Sequence, residues 1–166
     1  MRFVKKCVAA AGAAMTALAI SVGTTPAAGA APIGPTLTAA PVTVYQIPAI
    51  GLQISGLLTG GPLLASIQAS AQAPGLTTFS APASPVTCST TAAGALVRID
   101  YINLSTGVRG SSTVKPCRYF LDPAPTHQTV NTGSGPVAFT VSLKGSSAYP
   151  NAGQPSLPGG GGFIAP

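Results

Sequence analysis

Few residues in this chain could do acid–base, nucleophilic or metal chemistry: three cysteines, one histidine and two aspartates among 166 residues, with no glutamate. His127 is the sole histidine, and a serine-hydrolase triad would need it oriented by Asp100 or Asp122. Asp122 lies five residues before His127 across Pro123 and Pro125, so the two could approach. No serine, however, occupies a Gly-x-Ser-x-Gly elbow, the strained turn that exposes such a nucleophile. His127 is therefore expected to be a surface or turn histidine. The aspartates could also be imagined as a glycosidase pair, which would require a shaped cleft normally lined by aromatics. Asp100 falls on the same face of an extended run as Arg98, two residues away, and an ion pair accounts for both. The glycine run Gly159–Gly162 has no Lys-Ser/Thr to complete a phosphate loop. No catalytic, cofactor-binding or metal-ligating residue is assigned, and the expectation is a protein that is not an enzyme and carries no cofactor.

The cysteines carry more information. Cys7 sits between a positive start (Arg2, Lys5, Lys6) and an uncharged apolar stretch to Val22. Pro26 and the small-residue exit Ala28-Gly29-Ala30 follow. These are the three parts of a cleavable secretory signal over residues 1–30, with export to follow. A spanning helix wants about 20 strongly apolar residues, and this stretch is shorter and Ala-heavy; an uncleaved anchor is the alternative. Cys88 and Cys117 then remain as an even pair in an oxidising compartment, which reads as a structural disulfide. Closing a loop of about 30 residues stabilises a domain by roughly 3–4 kcal/mol. A metal pair or a redox couple fits less well, since there is no Cys-x-x-Cys and only His127 could join as a further soft ligand.

Loss of the signal leaves Arg98, Arg109, Lys115, Arg118 and Lys144 against Asp100 and Asp122, a net charge of about +3. Dispersed cations without an interleaved aromatic platform do not make a nucleic-acid footprint. Charged residues are 6% of the chain, against about 25% in ordinary soluble domains. Ser, Thr, Gly, Gln and Asn must supply the wetted surface, which suits a protein outside the cell or within an envelope.

The elements that would position these residues read as strands. Pro41 marks an edge within 35–47, and apolar residues alternate in 50–55, in 63–69 after a Gly60-Gly61-Pro62 turn, and more weakly in 76–80. Val97, Ile99 and Tyr101 share one face of 95–104, and Asn103–Gly107 turns the chain into a second extended segment, 108–114, as a hairpin. Val137, Phe139, Val141 and Leu143 give the cleanest alternation. No segment after residue 31 holds a 3.6-residue apolar period. Short strands at such spacing predict an all-β fold, a small immunoglobulin-like β-sandwich over residues 31–144 with one disulfide. From Gly145 onward Gly, Pro, Ser and Asn dominate, predicting a flexible tail over 145–166. Asn103-Leu104-Ser105 also matches the N-glycosylation pattern.

The Ala-rich signal, low charge, single cysteine pair, Asn103–Gly107 hairpin and Gly/Pro-rich end resemble small secreted β-sandwich proteins of high-GC Gram-positive bacteria. The resemblance implies an extracellular or cell-envelope setting and transfers no functional residue. The function expected is a non-enzymatic binding or structural role, with cell-wall or envelope components as partners and no nucleic acid or stable membrane span after signal cleavage. The alternative is a membrane-active or pore-forming envelope protein, whose lipid-facing strands would also alternate.

Overall fold

The computed structural model describes residues 39–55 and 58–166; the export signal expected over residues 1–30 lies outside them. In chain order the elements are β1 (Ala40–Val42), β2 (Tyr45–Ile47), β3 (Ala49–Ser55), β4 (Leu58–Ala65), β5 (Gln68–Ala73) and β6 (Leu76–Ser80). A one-turn helix α1 (Pro85–Cys88) and a 3-10 turn (Thr91–Gly94) lead into β7 (Ala95–Asn103) and β8 (Arg109–Val114). The chain ends with β9 (His127–Asn131), β10 (Gly135–Gly145), β11 (Ser156–Leu157) and β12 (Gly159–Ala165). The fold is all-β: antiparallel sheets in the orders β1-β5-β6-β9, β2-β12-β10-β7-β8 and β11-β3-β4, with one disulfide, Cys88–Cys117.

The alternating strands behave as their periodicity requires. β7 buries Val97, Ile99, Tyr101 and Asn103, while β10 beside it buries Val137, Phe139, Val141 and Leu143. The hairpin between β7 and β8 closes at the expected turn, where Asn103 N–H donates to Val108 O (2.8 Å) and Gly107 N–H to Asn103 O (2.9 Å). Gly107 there has φ +74°, a left-handed conformation that costs glycine nothing. Phe79 of β6 joins two sheets: its ring centroid lies 5.8 Å from Tyr101 of β7 and 5.8 Å from Phe163 of β12.

The flexible tail is corrected. Residues 159–165 form β12, an interior strand that pairs with β10 on one side and β2 on the other. Glycine is what admits the strand there. A Cβ at Gly161 would collide with the backbone oxygen of Tyr45 and come within 2.9 Å of Phe139 Cζ. The ladder runs on backbone groups alone until Phe163 and Ala165 enter the core. The domain therefore extends past residue 144 to its last strand. Two smaller corrections follow from backbone breaks that periodicity does not register. The run 63–69 is divided between β4 and β5, which lie in different sheets, and Gly60-Gly61-Pro62 is inside β4 instead of forming a turn before it.

Uncharged polar groups pin the sheets at their margins. Gln46 Nε2 donates to Ile67 O (2.8 Å) while its Oε1 accepts Ile67 N–H (2.9 Å). Gln128 Oε1 accepts from Ser112 Oγ (2.9 Å) and Thr113 N–H (3.2 Å), linking β9 to β8. Asn103 is fully buried, donating to Thr132 O and Ser134 O and accepting from the N–H groups of Ser105 and Thr106. Its amide is thus committed to the fold, which removes it as a glycosylation acceptor in the folded chain.

Removing residues 159–166 should abolish cooperative unfolding, since it strips β2 and β10 of their shared neighbour and empties the Phe163 site. A milder probe, Phe163→Ala, should cost about 3–5 kcal/mol, read by urea denaturation. A truncated chain that melts like the full one would contradict the strand. Tyr101 gives a second handle. Burial raises its phenol pKa above the ordinary value, so the unfolded chain ionises first as pH rises. Stability should be intact below about pH 10 and fall from there through the folded pKa. Tyr101→Phe should show a shallower alkaline loss in melts across that range.

Candidate binding surface at the disulfide

The disulfide is set up by short-range capping. Ser84 accepts the Thr87 N–H on its Oγ (3.1 Å), and Pro85 opens α1 at a position where its missing N–H costs nothing. One turn later Cys88 meets Cys117, their Cα atoms 5.5 Å apart. Both cysteines therefore stand where the sequence places them, bridging the segment before the β7–β8 hairpin to the one after it.

Beyond Cys117 the chain runs without regular structure to Thr126, yet it is densely tied. Lys115 acts as a post: its Nζ donates to Phe120 O (3.0 Å) and Asp122 O (2.9 Å), and its N–H to Pro125 O (2.9 Å). Asp122 Oδ1 accepts the Ala124 N–H at 2.8 Å. On this fixed backbone Tyr119 is 91% and Leu121 95% exposed, and Val86 on α1 is 77% exposed. Phe120 instead turns inward, its ring centroid 5.6 Å from that of Tyr149. Exposed apolar side chains mark an interaction surface where they gather, and Tyr119, Leu121 and Val86 lie on the two segments that the disulfide joins.

Tyr149 belongs to a neighbouring segment, between β10 and β11, which lines a cleft of its own. Gly145 lets that segment fold back, since a Cβ there would strike the carbonyl of Pro150. Tyr149 N–H donates to Ser146 O and Oγ (3.2 Å each), and Gln154 Nε2 donates to Leu143 O at 2.7 Å. The result is a cleft of about 700 Å³ whose lining includes Gln53, Tyr149, Asn151, Gln154 and Pro155. None of its lining residues is charged. Amides beside an aromatic ring suit a neutral, hydroxylated ligand: the amides bond hydroxyls and the ring covers an apolar sugar-like face.

The residues first weighed for chemistry are not brought together. Arg98 clasps Asp100 through Nε (3.0 Å to each carboxylate oxygen) and Nη2 (2.8 Å), the expected ion pair, with both side chains substantially exposed. His127 is exposed, with its Nδ1 2.9 Å from Thr126 Oγ1, whereas the Asp122 carboxylate is taken by its own turn. Among the described residues no group of three or more His, Cys, Asp or Glu is placed to hold a metal ion. Among them, too, no helix is long and apolar enough to cross a membrane. Sequence reasoning passed over Tyr119, Leu121 and Tyr149. The available signal was Tyr119-Phe120-Leu121, three large apolar residues between a cysteine and Pro123 in a region without strand alternation. No family model, curated protein or solved structure matches the chain.

Because the bridge closes a loop of 29 residues, Cys88→Ser or Cys117→Ser should each remove about 3–4 kcal/mol. Reductant should lower the melting temperature of the native protein and leave both variants unmoved. Equal melting curves for native and variant chains would rule the bridge out as a main support.

Proposed function

We propose that this chain is a non-enzymatic, secreted or cell-envelope-associated protein of immunoglobulin-like β-sandwich type, which binds a neutral hydroxylated component of the cell envelope. The uncharged cleft beside the disulfide-clamped loop carries the proposal. Its amides and Tyr149 offer bonding and stacking, and its lining includes no histidine, cysteine, carboxylate or amine. Support for the layered fold comes from Phe79, whose ring meets side chains from β7 and β12 across an interior. Support for the setting comes from the disulfide, which suits an oxidising compartment, and from the signal-like first residues. Few fixed charges also favour a ligand read through hydroxyls over one read through charge.

A second reading rests on Tyr119, Leu121 and Val86, whose exposure near one disulfide offers an apolar foot for adsorption to a lipid layer. That is the membrane-active alternative in a peripheral form.

The two separate by fractionation of expressing cells into medium, salt wash and detergent extract. The native protein should stay with the insoluble wall fraction through salt wash and detergent, since a neutral ligand held by hydroxyl bonds and stacking is not released by ions. Asn151→Ala with Gln53→Ala should move it to the medium. Recovery only with detergent, lost in Tyr119→Ser/Leu121→Ser but kept in the cleft variant, would sink the glycan-binding reading and favour the lipid one.

A further inference from the structure

A second cavity borders the clamped loop and differs in chemistry from the neutral cleft. It measures about 350 Å³ and is lined by Ser80, Pro82, Lys115, Pro116, Arg118, Thr126 and His127. In a chain where charged residues are 6%, two of the cations and the only histidine converge on one depression. No carboxylate lines it: Asp122 is bonded to the Ala124 N–H, and Asp100 is held by Arg98. Among the described residues Arg118 has no acidic partner and is exposed. Lys115 uses two of its three N–H donors on the loop carbonyls, which leaves one.

The strand ladder builds the facing wall. Ser80 of β6 is paired with His127 of β9, and Thr126 Oγ1 lies against the His127 ring. Hydroxyls, an imidazole, an ammonium and a free guanidinium around one depression form a donor set for an oxyanion, with the Arg fork suited to two of its oxygens. A larger cavity of about 540 Å³ adjoins, sharing Ser80 and His127; its other polar lining residues are Gln46, Gln68 and Ser70, and no Lys, Arg or Asp lines it.

We propose that the depression between β6, β9 and the disulfide-clamped loop binds an oxyanion, phosphate or carboxylate, carried on a small hydroxylated molecule whose neutral body lies along the adjoining cavity. This site is separate from the neutral cleft and does not depend on that cleft binding anything. The disulfide couples to it directly, since Cys117 is flanked by Pro116 and Arg118, both in the lining.

The test is calorimetric titration of the purified disulfide-bonded protein with glycerol 1-phosphate, gluconate and glycerol. The two anions should bind and glycerol should not. Tighter binding of glycerol phosphate would assign a phosphate ester, and tighter binding of gluconate a carboxylate. Arg118→Gln, an exposed change that leaves the core untouched, should weaken the preferred anion about tenfold or more. Arg109→Gln, on β8, and Asn151→Ala, in the neutral cleft, should leave it unchanged. Absence of saturable binding in the millimolar range would overturn the site, as would equal losses in the Arg118 and Arg109 variants, which would mean diffuse charge attraction. Retained anion binding in the Asn151 variant keeps failure of this site distinguishable from failure of the cleft.

Discussion

The burial of the Phe79 ring is the contact on which the interior depends. It brings β6 of one sheet against β7 and β12 of another, and Phe139 of β10 closes the group through Phe163 at 6.2 Å. Much of the remaining core is small: Ala49, Ala65, Ala69, Ala81, Ala92, Ala95 and Ala165 are all buried. An alanine removes little apolar area from water, whereas an aromatic side chain buries about 150–250 Å². The chain contains no Trp. A few rings therefore supply a disproportionate share of the burial, and one of them belongs to the last strand.

That dependence explains where sequence reading succeeded and where it stopped. β7 and β10 were legible because side chains that alternate in burial also alternate in type, as in Val97-Arg98-Ile99-Asp100-Tyr101. β12 was illegible because a strand made of glycine has no alternation to display. Its reason for being a strand lies in the close approach of the β2 backbone, a tertiary fact. β9 was missed for a related cause: His127–Asn131 contributes one apolar side chain, Val130, to the interior and is tied by Gln128 and by Thr129, which bonds Thr78 at 2.6 Å. At the candidate site the disulfide was readable from the even cysteine pair left once a signal is expected to be removed. The loop it clamps was not, because its order comes from one lysine bonding backbone carbonyls, a pattern that leaves no periodic trace.

Low charge has a structural counterpart. Where many domains place ion pairs, this one uses amides that bond backbone, Gln46 at Ile67 and Asn103 at the 132–134 turn, and hydroxyls that bond each other, Thr77 Oγ1 with Thr132 Oγ1 at 2.8 Å. Among the described residues no buried side-chain nitrogen or oxygen lacks a partner. A buried amide that satisfies its neighbours avoids the desolvation cost that a buried ion would incur. The single ion pair among the described residues, Arg98–Asp100, lies on a solvated face where screening leaves it little to do for stability.

Lys115 stands apart from that pattern and links the two candidate surfaces. Its ammonium is turned toward loop carbonyls, so a charge that would ordinarily be solvated instead organises backbone. An irregular segment of this length would otherwise carry a large conformational entropy, about 1–2 kcal/mol per residue fixed. The disulfide removes part of that from the unfolded side, and the lysine bonds order the native side. A surface already ordered before binding loses less on association, which is the physical advantage of presenting Tyr119, Leu121 and Arg118 from a clamped loop. One crosslink and one lysine thus order the loop that lines the basic depression through Lys115 and Arg118, while Phe120 of the same loop meets Tyr149 of the neutral cleft. Opening the bridge should disturb the basic depression, whose Pro116 and Arg118 flank Cys117, more than the neutral cleft, none of whose lining residues lies on the loop.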